Sequence, residues 1–283
     1  GDTVISLPLS KILRRLPEQG DTCFFGRFSD HAWDSDHLVL GRGGEITQFV
    51  PKSKGGSRDG LALALSGATV TTTRVLSDLG EGDAQHEIYL ATKRLGASTN
   101  YVNSSWFIRD AGTKDRIQRI SDQHRDGSLD RRGAEIRPAV FIDRDGTLIP
   151  DIGECRSSVS SDEIPQRVRG AIGRLNRLGI PIFLVTNQPG MAKGCIDEMQ
   201  VLRTFQDISH WLAEEGSFID AFYFCPHHPD AGWEGEVSSL KISCDCRKPA
   251  AGMLFSAASQ HMIDLASSVV IGDTARDEGA AVE

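Results

Sequence analysis

The sequence predicts an α/β fold built on a parallel sheet, and three observations predict it. Apolar runs of strand length recur in the second half, at 139–142, 180–185, 219–224 and 268–271. Stretches with apolar residues at helical spacing lie between them. A polar cluster then follows each run directly. Strand and helix in series require crossover connections, which give parallel strands covered by helices on both faces. Ligands of such sheets gather at the carboxyl ends of the strands, so the polar clusters are where chemistry is expected.

The elements follow in order. In the first half, 37–40 and 45–50 flank a glycine-rich stretch at 41–44, which reads as a hairpin. The β-branched run 68–75 reads as a strand, and 84–95 as a helix stopped by Gly96. Residues 121–137 are polar and charged and read as a helix end followed by a linker. In the second half, Val168, Ile172, Leu175 and Leu178 mark a helix ended by Gly179. Met199, Leu202, Phe205, Ile208 and Leu212 mark another, ended by Gly216, and 253–263 a third. The expected division is 1–120, a linker at 121–137, and 138–283.

A length of 283 residues suits two domains at roughly 150 residues each. With 39% hydrophobic and 25% charged residues, the composition is globular and excludes a largely disordered chain. The net charge of -8 argues against nucleic acid as the main partner. No apolar run approaches the ~20 residues of a membrane helix, and the start lacks the basic and apolar regions of a signal peptide. A cytoplasmic protein acting on a small molecule is expected, with no membrane or nucleic-acid partner. The opening at Gly1-Asp2 and the helical character of the last residues suggest a fragment of a longer enzyme, cut within its second domain. Six cysteines are too few for a disulfide scaffold, and the crowding of three of them within 225–246 suggests metal.

The clusters carry the chemistry. After the first run comes Asp143-Arg144-Asp145-Gly146-Thr147. Carboxylates two apart on an extended chain share a face, and two close together require a cation or a shared proton. Mg²⁺ with one nucleophilic Asp and one proton-carrying Asp meets that demand, although Asp and Gly are also common in plain surface turns. Thr186-Asn187-Gln188 follows the second run, where a hydroxyl and successive N–H groups suit phosphate oxygens. After the third come Cys225-Pro226-His227-His228 and, further on, Cys244-Asp245-Cys246. Cys225, His227, Cys244 and Cys246 make a closed tetrahedral set for structural Zn²⁺, with His228 the alternative imidazole. Arg247-Lys248-Pro249 places two cations beside that knot, suited to an anionic substrate. After the last run, Asp273 is placed to complete a Mg²⁺ site, and Asp277 to orient its waters or Lys248.

In this order, Asp-x-Asp-Gly-Thr, Thr-Asn-Gln, Arg-Lys-Pro and Gly-Asp-x-x-x-Asp resemble the signature of haloacid-dehalogenase-type phosphatases. The inserted Cys-Pro-His-His-Pro and Cys-Asp-Cys-Arg-Lys-Pro resemble the D-glycero-D-manno-heptose 1,7-bisphosphate 7-phosphatase group, whose relatives include histidinol-phosphate phosphatases. The resemblance spans roughly 138–283 and implies a Rossmann-like sheet. It further implies that Asp143 attacks the C7 phosphate, Asp145 protonates the leaving oxygen, and Thr186, Asn187 and Lys248 neutralise the phosphoryl group. Mg²⁺ would be held by Asp143, the backbone carbonyl of Asp145, and Asp273, while Arg247 and the zinc loop would shape the substrate end. In the first half, Gly1-Asp2, Asp34-Ser35-Asp36, Phe49-Val50-Pro51-Lys52 and the stretch from Phe107 to Thr113 resemble the later part of a sugar-phosphate nucleotidyltransferase. Asp2 and Asp110 stand at that family's Mg²⁺-binding positions, but its glycine-rich nucleotide loop is missing. The parent would be a bifunctional enzyme of activated heptose synthesis. The alternatives are a histidinol-phosphate phosphatase and a nucleotidyltransferase with an accessory phosphatase domain.

Overall fold

A computed structural model describes residues 3–6, 21–27, 36–41, 45–52, 61–103, 105–134, 136–153 and 155–283, with the backbone alone at 3, 61 and 107–110. Gly1, Asp2, Asp34, Ser35, Arg42, Gly43 and Gly44 lie outside the described residues, as does the side chain of Asp110. The chain divides into two compact units, Gly1–Glu135 and Ile136–Glu283.

The first unit holds strands β1 (Thr3–Ser6), β2 (Thr22–Arg27), β3 (His37–Leu40), β4 (Ile46–Val50), β5 (Leu61–Thr71), β6 (Thr99–Asn103) and β7 (Phe107–Asp110). Five of them form a sheet in the order β4-β3-β5-β2-β6, and β1 pairs with β7 separately. Only the β2–β6 pairing of that five-stranded sheet is parallel. The expected hairpin is β3 against β4. The strand expected at 68–75 begins earlier and stops at Thr71, because Thr72 is extended and the chain then turns into the short helix Thr73–Leu76, burying Val75. The helix Ala84–Arg94 starts at Asp83, whose carboxylate accepts from the N–H groups of Gln85 and His86. The stretch 121–137 begins with the expected helix end, but a second helix follows where a linker was expected. Lys114–Arg125 is one helix, Gly127 turns the chain with φ +75°, and Ser128–Gly133 is another, with Ser128 and Arg132 buried. Polarity misled here because Arg132 is buried while donating to Ser105 O.

The second unit is a parallel sheet of β8 (Val140–Ile142), β9 (Ile182–Asn187), β10 (Ala221–Cys225) and β11 (Val269–Ile271), in the order β10-β9-β8-β11. Helices Gln166–Arg177, Glu198–Ala213 and Gly252–His261 make the crossovers, and Ala275–Val282 follows β11. Gly179 at φ +76° ends the first crossover helix in a backbone region that side chains other than glycine rarely enter. Asp197 and Gln200 form a reciprocal capping box at the start of the second. Residues Ile182 to Val185 of β9 are fully buried, which is why that run is continuously apolar. On one face Phe141, Phe183 and Val185 join Met253, Leu254 and Ala257. On the other, Phe205 stacks on Phe222 at 4.8 Å. Coverage is incomplete at the edge, since Val269 and Ile271 of β11 are exposed.

Candidate functional site

Parallel strands place all their carboxyl ends on one rim, so the chain-distant clusters after β8, β9 and β11 meet there. They line an open cleft of about 130 Å³ that includes Asp143, Asp145, Thr186, Asn187, Lys248 and Asp273. Arg247 is not among the lining residues; its guanidinium donates to His227 O at 3.0 Å.

Lys248 organises the floor. Its Nζ donates to Asp143 Oδ1 and Asp277 Oδ1, each at 2.5 Å, and to Val185 O at 2.9 Å. Three N–H groups thus meet three acceptors, which satisfies a buried ammonium. Burial pushes the Asp143 carboxyl up to about 6 against the pull of Lys248. For Asp277 burial also acts upward, but the bonds from Lys248 and Thr274 outweigh it and hold the carboxyl below its ordinary value. Asn187 exchanges two hydrogen bonds with the backbone of Lys248, and Thr186 Oγ1 accepts from Gln188 Nε2 at 2.9 Å.

Asp143, Asp273 and Asp277 each offer an oxygen within 4.8 Å of the others. Three hard oxygen donors on an acidic cleft fit a Mg²⁺-type cation. Gly146, at φ +82°, lies so close to Asp273 that a Cβ there would overlap its carboxylate. The Asp145 side chain lies outside that triad. Its Oδ2 accepts from Arg144 Nε at 2.9 Å and Gln188 Nε2 at 3.1 Å. Among the described residues its buried Oδ1 has no hydrogen-bond partner, and it faces Arg156 Nε at 3.9 Å. Arg144 is itself buried and also bonds Thr204 and Gln188. Arg144, Arg156 and Gln188 were not assigned roles from sequence. Arg144 carried a signal, as a cation between two acids, whereas Arg156 carried none.

Cys225, His227, Cys244 and Cys246 close into a knot beyond β10. The separations are 3.5 Å between Cys225 and Cys244, 3.3 Å between Cys244 and Cys246, and 3.3 and 3.6 Å from His227 Nδ1 to Cys246 and Cys225. Ligand bonds of about 2.3 Å give tetrahedral edges of about 3.7 Å, so three thiols and one imidazole at these spacings fit Zn²⁺. His228 is turned instead against Trp233 at 5.0 Å. Trp233 also lies beneath the ammonium groups of Lys193 and Lys241.

Cys155 and Cys195 form a disulfide with a Cα–Cα distance of 5.5 Å. Their separation of 40 residues gave no sequence signal for the pairing.

Fold and cleft together define a phosphatase of the haloacid-dehalogenase type. The D-glycero-beta-D-manno-heptose-1,7-bisphosphate 7-phosphatase of Photorhabdus laumondii is 42% identical over 144 residues, 51% of this chain and 74% of that protein. The enzyme of the same name from Yersinia pestis is 39% identical over 145 residues, again 51% and 74%. The chain belongs to the D-glycero-beta-D-manno-heptose-1,7-bisphosphate 7-phosphatase family. A solved D,D-heptose 1,7-bisphosphate phosphatase from B. bronchiseptica, complexed with magnesium and phosphate, is 33% identical over 51% of this chain and 75% of that one, with a TM-score of 0.43. No family model matches the chain. Among the described residues no helix is long and apolar enough to cross a membrane.

Proposed function

We propose that the chain removes the C7 phosphate of D-glycero-D-manno-heptose 1,7-bisphosphate through an aspartyl-phosphate on Asp143. The observation that carries this reading is the placement of Asp143 and Asp145 on one cleft with different partners. Asp143 is held by Lys248 on the cleft floor and acts as the nucleophile. The Asp145 carboxyl is anchored through Oδ2 by Arg144 and Gln188, and it gives a proton to the leaving sugar oxygen and then takes one from water. Thr186 and Lys248 stabilise charge on the transferring phosphoryl group, and Asn187 sets the position of Lys248.

Asp143, the Asp145 carbonyl and Asp273 would hold Mg²⁺, with Asp277 beside them. Mg²⁺ when bound supplies charge neutralisation at the phosphoryl oxygens. Cys225, His227, Cys244 and Cys246 would hold a structural Zn²⁺ that orders the loop between them.

A bisphosphate needs a second cation. Arg276 lines the cleft, is exposed, and has no hydrogen bond or ion pair among the described residues. It also sits in the first turn of the helix Ala275–Val282, where the helix dipole disfavours a cation unless an anion is nearby. We assign it to the anomeric phosphate. Arg247 shapes the substrate end indirectly, by bracing the Cys/His knot. For residues 1–120, the reading as part of a sugar-phosphate nucleotidyltransferase rests on the sequence motifs. It would place the chain in a bifunctional cytoplasmic enzyme of activated heptose synthesis, joined through 121–137 to the phosphatase domain at 138–283.

The test is phosphate release from the heptose bisphosphate beside histidinol phosphate, followed by ³¹P NMR. Faster turnover of the bisphosphate, with the anomeric phosphate retained, is expected. Faster release from histidinol phosphate would overturn the substrate assignment.

A further inference from the structure

We propose that Cys155 and Cys195 are a reversible redox modification site whose bonded form holds the cleft in its active geometry. The proposal rests on Asp145 acting as the proton carrier. Both cysteines are exposed, so the bond is open to thiol–disulfide exchange. Their ends lie in two different loops, and each loop contributes a contact to Asp145. Arg156, the residue after Cys155, brings its Nε to 3.9 Å from Asp145 Oδ1. Gln188 begins the turn that runs to Cys195, and its Nε2 donates to Asp145 Oδ2 at 3.1 Å. That turn is tight, since Cys195 N donates to Gly190 O at 3.0 Å.

The tether matters because the first loop has little else at this point. Asp151 and Gly153 line the cleft. Their one hydrogen bond among the described residues is internal, from Gly153 N to Asp151 Oδ1. Beyond Cys155 the chain is well anchored. Arg156 donates to Pro150 O and Glu163, and Val159 N–H donates to Asp207. The disulfide therefore fixes the weakly held rim residues Asp151 and Gly153 to the loop carrying Gln188. Cutting it releases Asp151 and Gly153 at the cleft rim from the loop whose Gln188 holds Asp145 Oδ2.

The chemistry balances with small-molecule thiols. A dithiol reductant delivers two electrons and two protons, splits the S–S bond into two thiols, and becomes a disulfide. Oxidation returns the two electrons to a low-molecular-weight disulfide, which leaves as two thiols. The other four cysteines do not take part: Cys23 is buried, and Cys225, Cys244 and Cys246 belong to the metal knot.

The experiment uses the full chain loaded with Zn²⁺ and Mg²⁺, treated with oxidised glutathione or with dithiothreitol. Alkylation and mass spectrometry count the thiols at Cys155 and Cys195. Turnover is measured on p-nitrophenyl phosphate as well as on the heptose bisphosphate, so that failure of the substrate assignment leaves this test standing. Reduction should expose two thiols with zinc retained and lower kcat roughly tenfold with little change in KM, since small displacements of a reacting group are costly. Re-oxidation should restore kcat. The Cys155→Ser/Cys195→Ser double variant should match the reduced protein and ignore both reagents. A change confined to thermal stability, measured well below both melting temperatures with kcat unaltered, would overturn the proposal. So would a pair that native reduction never opens.

Discussion

Asn187 and Lys248 hold each other in both directions: the Asn187 amide donates to Lys248 O, and Lys248 N–H donates to Asn187 Oδ1, each at 3.0 Å. The end of β9 is thereby stitched to the stretch that carries the cleft's buried ammonium. Asn187→Ala removes both bonds, worth about 1–3 kcal/mol where a buried partner is left unsatisfied. The expected result is a fall in kcat of roughly 10- to 100-fold, with KM little changed. A rise in KM alone, in steady-state phosphate release, would instead place Asn187 on the substrate.

Gly146→Ala tests Asp273 without touching a carboxylate. The new Cβ overlaps the Asp273 side chain, and φ +82° strains the backbone as well. Activity should then need a higher Mg²⁺ concentration. An unchanged Mg²⁺ titration would remove Asp273 from the metal site.

The Cys/His knot makes a separate prediction. Cys244→Ser should lower zinc stoichiometry from one per chain, measured by elemental analysis, and make the loop around Trp233 susceptible to protease. A full zinc complement would show that Cys244 is not a ligand.

His261 sets an acid limit on stability. It is fully buried against Phe183, and burial lowers its pKa to about 3. The unfolded imidazole, at about 6.5, binds a proton on acidification that the folded one refuses, so stability falls as pH drops below about 6.5. By pH 5 this costs about 2 kcal/mol. In His261→Phe, the loss of stability between pH 7 and pH 5 in urea titrations should be smaller by about that amount.

Arg276→Ala should raise KM for the heptose bisphosphate roughly tenfold, the loss of one charge-assisted contact, and leave p-nitrophenyl phosphate turnover unchanged. Equal effects on both substrates would place Arg276 at the reacting phosphate.

Local chemistry along the chain was enough for the second unit's sheet. The runs at 139–142, 180–185, 219–224 and 268–271 contain or overlap β8 to β11, because strands buried on a parallel sheet must be continuously apolar. Asp143, Asp145, Lys248 and Asp273 were legible for a related reason: they stand close behind strands or a cysteine pair, where polar residues are conspicuous. The first unit was harder to read, since its helices at Lys114–Arg125 and Ser128–Gly133 are polar almost throughout.

Contacts between residues far apart in sequence needed the folded chain. Asp277 was expected from sequence to orient Lys248 or the metal's waters, but its meeting with Asp143 on that one ammonium needed the fold. Arg156 reaches Asp145, and Cys155 finds Cys195 40 residues away. No period or spacing encodes such pairings. They arise when strand ends separated in sequence are brought onto one rim and side chains of opposite charge, or two thiols, come within bonding distance.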